Sequence, residues 1–168
     1  RIKVYFIEQM LTRRSIRKFK DEPVHEEVIN NILEAGRLSP SATNSQPWYF
    51  VIARDQKEKE ACTFRGFNGF AKDAQFVVVG FYKQSEAIME KYSLMDVTIA
   101  LQSMVVAAWV QGVGSCWMGA FDDKNLKDTL NLPDDSRVVG AVAFGIPDET
   151  PSQPKKKLLS EIVHFDKW

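Results

Sequence analysis

The chain has 168 residues, 45% hydrophobic and 26% charged, with 22 Lys+Arg balanced by 22 Asp+Glu. That mix excludes a disordered or fibrous chain, and zero net charge argues against a dedicated nucleic-acid binder, which carries a basic excess. Two cysteines, Cys62 and Cys116, are too few for a disulfide framework and read as reduced thiols of a cytoplasmic protein.

A core of this size buries roughly two-thirds of the unfolded chain's surface, so residues 1–168 are expected to form a single domain without staples. Arg1–Phe6 is too short for a signal peptide and shows no small-residue cleavage site. Residues 3–12 form a short helix with Val4, Ile7 and Leu11 as its apolar positions. The basic run Arg13-Arg14-Ser15-Ile16-Arg17-Lys18-Phe19 follows. Pro23 opens a second helix, whose Val28, Ile29, Ile32, Leu33 and Gly36 share one buried face, and Pro40 closes it. Ser39–Pro47 is a polar loop rich in turn formers, and Trp48–Ala53 is a short strand.

Phe76–Tyr82 is apolar on both faces, as a central strand covered on both sides must be. Ser85 to about Gln111 is a long helix, apolar nearly all round after Leu94. The uncharged stretch Val97–Phe121 is long enough to span a bilayer, but Gln102, Ser103, Gln111, Gly112, Gly114 and Ser115 interrupt it. The reading is therefore a core helix running into a Gly-rich loop, not a membrane segment. Asp122 or Asp123 caps a short helix with Leu126 and Leu130 turned inward, and Arg137–Ile146 is another apolar strand. Pro147–Lys157 is a polar, proline-punctuated arm that cannot fold by itself and carries a last strand, Glu161–Trp168, elsewhere; a partner subunit is one destination. The fold class is α+β: a three-layer α-β-α sandwich with helices on both faces of a central mixed sheet.

Several chemistries are missing. There is no phosphate-binding Gly-x-x-x-x-Gly-Lys loop, no dinucleotide Gly-x-Gly-x-x-Gly in strand-to-helix context and no Gly-x-Ser-x-Gly elbow. His25 and His164 stand far apart without a Cys-x-x-Cys, so no metal site is expected. Cys116 reads as a small buried residue sooner than as a nucleophile.

Four features remain. Arg13, Arg14 and Arg17 with Ser15 make an anion site, because guanidinium forks match phosphate; alone, they read sooner as a solvated basic face or as Arg–Glu pairing. Pro40-Ser41-Ala42-Thr43-Asn44-Ser45-Gln46-Pro47-Trp48 is dense in neutral donors and acceptors suited to a heteroaromatic ring, or is an ordinary Asx/Ser-rich turn. The stretch Gly112–Phe121 has three glycines that let backbone lie close to a flat ligand or another strand, or make a tight connection between helices. Lys155-Lys156-Lys157 is a second cationic cluster, or simply a soluble arm. Together they suit a phosphate-bearing flat cofactor of nucleotide size, and the residues alone do not choose which.

These motifs resemble the nitroreductase family of FMN-dependent NAD(P)H oxidoreductases. Arg-Arg-Ser-x-Arg-x-Phe at Arg13–Phe19, followed by Pro-Ser-x-x-Asn-x-Gln-Pro-Trp at Pro40–Trp48, is similar to that family's N-terminal signature in order and spacing. Gly112–Phe121, Gly145-Ile146-Pro147 and the tail Glu161–Trp168 also look like the family, so the resemblance runs over essentially the whole chain. It implies that Arg13, Arg14, Ser15 and Arg17 bind the FMN phosphate and ribityl chain. Pro40, Ser41, Thr43, Asn44 and Gln46 would reach the isoalloxazine ring from the opposite subunit of a homodimer. The backbone at Trp117, Met118 and Gly119 would run beside the flavin N5 and O4 edge. Lys156 or Lys157 would complete the phosphate site from an arm that crosses to the partner. Many members have an arginine in that arm; three lysines here would bind phosphate as point charges. The short Ala53–Phe76 and Gln84–Leu94 stretches leave little room for the helical lid of larger members.

The activity so implied is hydride transfer from NAD(P)H through flavin N5 to an electron-poor acceptor such as a nitroaromatic or quinone, with ping-pong turnover and no indispensable acid–base side chain. Two alternatives use the same features: an FMN carrier or sequestering protein with little turnover, and a non-flavin interaction module that uses its lysine arm on acidic partners.

Overall fold

The computed structural model describes residues 2–64 and 66–168; the side chains of residues 1–6, Val4 among them, lie outside the description. Helix α1 (Ile2–Thr12) leads into an extended segment, and α2 (Glu26–Arg37) follows with Ile29, Ile32 and Gly36 buried. Pro23 precedes α2 by three residues, and His25 is its N-cap. Strand β1 (Tyr49–Ala53) is followed by α3 (Gln56–Ala61) and a helical turn at Gly69–Asp73, neither of which the hydrophobic pattern had marked. Strand β2 (Phe76–Lys83) is buried from Phe76 through Tyr82, and Arg137–Ile146 becomes β4 (Ser136–Gly145).

Two sequence expectations are corrected. The long helix α4 (Glu90–Val110) begins five residues after Ser85, because Gln84–Glu86 makes its own turn and the Ser85 hydroxyl donates to Asp135. Most of the Gly-rich loop is a strand, β3 (Gly114–Met118): Gly112 turns the chain out of α4 with φ 80°, and Gly114 permits the close approach of Ile16. Within the single chain the segment Glu161–Trp168, expected as a strand that crosses to a partner, forms no strand among the described residues. A single helical turn, α6 (Leu159–Ile162), stands there, and residues 152–168 are exposed with no strand edge against them. Between β3 and β4 lies α5 (Asp123–Leu130), where Asp122 accepts from the Asn125 N–H at 3.0 Å and Leu126 is buried.

The sheet order is β1-β2-β4-β3, and every neighbouring pair is antiparallel. The expected mixed sheet is thus antiparallel in its four strands; the parallel element is one isolated bridge, Ser15↔Ser115. A central antiparallel strand covered on both faces reads in sequence like a parallel one, since both are apolar on each side.

Helices cover both faces. On one, α2 and α4 pack on Phe76, Val78, Val142 and Phe144, with the Phe76 and Phe144 rings stacked at 5.0 Å. On the other, α3, α5 and the Gly69–Asp73 turn pack on Val77, Val79, Ala141 and Ala143. Two fully interior layers flanking one sheet make the three-layer sandwich. Helix α4 is long and apolar enough to cross a membrane, yet Ala100, Leu101 and Met104 on its inner face are fully enclosed by the sheet and α2.

Candidate functional site

The arginine-rich segment runs along the outer edge of β3. The Ile16 N–H donates to the Ser115 carbonyl at 2.9 Å, and Ile16, 1% exposed, is the anchor. In extended chain, alternate side chains face opposite ways, so burying Ile16 turns Ser15 and Arg17 outward. The close approach needs Gly114: a Cβ there would stand 2.7 Å from Ile16 Cγ1. The other side of the segment is clasped by the start of the arm. Lys20 N–H donates to the Ile146 carbonyl and Asp148 N–H to the Lys18 carbonyl, both at 2.9 Å, and Phe19 bridges Pro147. The Glu149 carboxylate accepts from the backbone N–H groups of both Arg17 and Lys18.

This clasp shapes a cavity of about 540 Å³ lined by Arg13, Arg14, Ser15 and Arg17, by Met10 and Leu11 of α1, and by arm residues including Gln153 and Lys156. The volume lies in the range of small-molecule sites. Lys156 lines it and Lys157 does not. Arg14 differs from its neighbours. Its guanidinium donates to the Thr12 and Arg13 carbonyls at 2.9 Å and to Gln153 at 3.2 Å, which ties the arm to the segment. Its Nε is buried without a partner among the described residues. Arg13, Arg17 and Lys156 enter none of the ion pairs among the described residues; the Glu149 carboxylate at this segment is taken up by backbone N–H groups and not by these side chains. Arg17 also stands 6.0 Å from the centroid of the Phe70 ring.

Cys116 lies against this cluster but is not a nucleophile. Burial pushes its thiol up, and the nearby Arg17, Ser15 and Arg13 offset that only in part. Burial pushes Cys62 up to about 12. Both are protonated at neutral pH, and a thiolate is what a disulfide reagent needs. We expect an aromatic disulfide reagent at pH 8 to label neither cysteine in the folded protein and both after unfolding; rapid labelling of Cys116 in the folded state would contradict its burial.

Along β3, the Ser115 carbonyl faces the arginine segment, so alternation turns the Trp117 N–H and carbonyl toward the same outer edge, beyond the end of that segment's bridge. The Trp117 indole is fixed by a 3.0 Å donation to Gln102 of α4, Met118 is buried in the second core layer, and Gly119 is exposed just past the strand. The cation cavity and this strand edge are therefore contiguous.

The Pro40–Gln46 loop sits elsewhere in the chain and contributes nothing to the cavity lining. It packs on α4, with the Ser39 and Ser103 hydroxyls 2.8 Å apart and the Ala42 N–H on Asp96. Thr43, Asn44 and Gln46 are exposed, Pro40 is exposed and Ser41 is half-buried. One chain thus brings Arg13, Arg14, Ser15, Arg17 and Lys156 together beside Trp117, Met118 and Gly119, and holds the neutral loop apart.

Residues 10–67 and 60–146 match the Nitroreductase family. The chain belongs to the nitroreductase family. It is 31% identical, over 96% of its length and 98% of the relative's, to an Archaeoglobus fulgidus protein bearing the provisional name NADH dehydrogenase/NAD(P)H nitroreductase. It is 27% identical to an NADPH-flavin oxidoreductase of Vibrio harveyi, covering 96% of this chain and 74% of that one. Its fold superposes on an FMN-dependent nitroreductase of Clostridium difficile with a TM-score of 0.86, at 27% identity and with 96% and 99% of the two chains covered.

This nitroreductase-family site contains residues that the motif reading did not single out: Glu149 and Gln153, which clasp the arm, and Asp96 and Gln102, which brace the loop and Trp117. A carboxylate just before the uncharged Val97–Phe121 stretch was the available signal for Asp96, since an acid on an apolar helix face demands a partner.

Proposed function

We propose that this chain is an FMN-dependent oxidoreductase that draws hydride from NAD(P)H and delivers it to an electron-poor acceptor such as a nitroaromatic or quinone. The observation that carries this reading is the cavity where Arg13, Arg17 and Lys156 converge next to the outer edge of β3, none of them in an ion pair among the described residues. The donor set fits a phosphomonoester: guanidinium forks for its oxygens, an ammonium point charge and a hydroxyl. The names of the Vibrio harveyi and Clostridium difficile relatives supply the flavin and the reduced nicotinamide.

When bound, FMN supplies the hydride chemistry, and the chain supplies position and charge. Arg13 and Arg17 would grip the phosphate, with Lys156 closing over it from the arm; Arg14 braces the arm through Gln153. Ser15 would meet the ribityl hydroxyls. The Trp117 N–H, with Met118 and Gly119 beyond it, would meet the polar edge of the ring. Pro40, Ser41, Thr43, Asn44 and Gln46 would approach that ring from a second copy of the chain. Donor and acceptor would use one face in turn, which is ping-pong turnover, and no acid–base side chain is needed.

A second copy is supported by the outer face of α4. A groove of about 860 Å³ runs there, lined by apolar residues such as Met10, Ile99, Val106 and Val110. Leu158, Leu159, Phe165 and Trp168 of the tail are also exposed. Apolar surface of this extent on one chain marks an interface. Burying it with the tail would give an obligate-class contact above ~2,000 Å². Sedimentation should show a dimer, and FMN-loaded protein should oxidise NADH or NADPH in the presence of a quinone. A monodisperse monomer would contradict the shared site. Tight FMN binding without NAD(P)H oxidation would favour the carrier reading.

A further inference from the structure

We infer that Asp96 is a positioning residue that sets the Pro40–Gln46 loop in the shape and place required to meet a flavin ring; this rests on the functional reading above. Asp96 lies on α4 and is 4% exposed. It enters no ion pair among the described residues, and its two carboxylate oxygens stand 3.1 and 3.2 Å from the Ala42 N–H. A buried carboxylate is unfavourable unless its hydrogen bonds compensate, and an apolar side chain would fill the same space at lower cost. The contact it makes is with the loop.

That loop is held in an unusual conformation. Thr43, Asn44 and Gln46 have φ of 52°, 58° and 48°, so three non-glycine residues within four positions are left-handed. Such backbone persists only where its surroundings over-determine it, and it concentrates at ligand-contacting segments. Inside the loop, Asn44 N–H and Gln46 N–H donate to the Ser41 carbonyl and hydroxyl, and Ser45 N–H donates to the Ala42 carbonyl, each at 3.0 Å. These bonds close the loop on itself without fixing it to anything. Asp96 joins the knot to α4 at Ala42, about two turns away from the Ser39–Ser103 contact on the same helix. The same helix holds Trp117 through Gln102. One rigid element therefore registers Trp117, assigned to the ring in this chain's own site, and the loop, assigned to the ring held by the second copy, and the Asn44 and Gln46 side chains are left exposed.

The test is FMN titration by flavin fluorescence, with the visible circular dichroism of the bound flavin recorded at saturation. Asp96→Ala should raise the FMN Kd at least about tenfold, as expected for one charge-assisted hydrogen bond. It should also alter the visible dichroism even when every site is filled. Asp96→Asn keeps an oxygen able to accept from Ala42 and should restore both readouts to within about threefold of wild type. A residue that merely stabilises the fold would lower the melting temperature and leave the saturated dichroism unchanged. Should Asp96→Ala fail to fold, Asp96→Ser, whose hydroxyl stops short of Ala42, takes its place. Wild-type Kd and dichroism in the Asp96→Ala or Asp96→Ser protein, or an Asp96→Asn protein as impaired as Asp96→Ala, overturns the inference alone. A wild-type chain that binds no FMN overturns the functional reading and the inference with it.

Discussion

Arg13→Glu is expected to yield a colourless protein that retains no FMN through purification. Arg13 lines the cation cavity and enters no ion pair among the described residues, so its charge is available to a ligand. Reversal removes a forked donor worth about 2 kcal/mol or more and sets a carboxylate against the phosphate. The combined loss is on the order of a hundredfold in affinity or greater. The fold should be untouched, because Arg13 belongs to neither core layer. Retention of full FMN occupancy by the variant would remove the phosphate assignment from this cavity. Arg14→Glu is a less clean probe, since Arg14 is committed to the Thr12 and Arg13 carbonyls and to Gln153.

Gly114→Ala should be costly in stability and in binding together. The added Cβ would meet Ile16 Cγ1 at 2.7 Å, Ile16 Cβ at 2.9 Å and Pro147 Cγ at 3.0 Å. None of these is the free end of a flexible chain: Ile16 is β-branched and buried, and Pro147 is a ring held by its bridge to Phe19. The segment carrying Arg13 and Arg17 must therefore move off β3, at about 1–3 kcal/mol for overpacking. FMN affinity should fall in parallel because the arginines move with Ile16. Gly69→Ala is the control, since nothing stands within 4 Å of its Cβ; it should change stability by no more than about 0.5 kcal/mol. Equal melting temperatures for the two variants in thermal unfolding would contradict the account of the β3 edge.

The central strand, the long core helix and the two N-terminal motifs were legible in sequence because each carries its signal locally. The uninterrupted Phe76–Tyr82 run, the charge-free length after Asp96 and the Arg13–Arg17 spacing are such signals. Strand order and direction were not legible, since burial on both faces says nothing about which edge a neighbour occupies. The Gly112–Ser115 glycines read as a loop, yet close approaches occur along β3 and β4: Gly114 against Ile16, and Gly140 against the Trp117 ring. The tail is a different case. Ile162, Val163 and Phe165 suit a strand, and the edge such a strand needs is expected on a partner, so the single chain shows only the α6 turn there. The clasp made by Glu149 and Gln153 joins positions more than 130 apart in sequence, where no local pattern could announce it.

The measurement that bears most directly on the central claim is the visible spectrum of the purified, FMN-loaded protein during anaerobic addition of NADH and then NADPH. The oxidised flavin spectrum should bleach with at least one of the two and recover on addition of a quinone. A bound flavin that stays oxidised with both would contradict the oxidoreductase reading and leave a flavin carrier. A protein that takes up no FMN would contradict the assignment of the Arg13–Arg17 cavity itself.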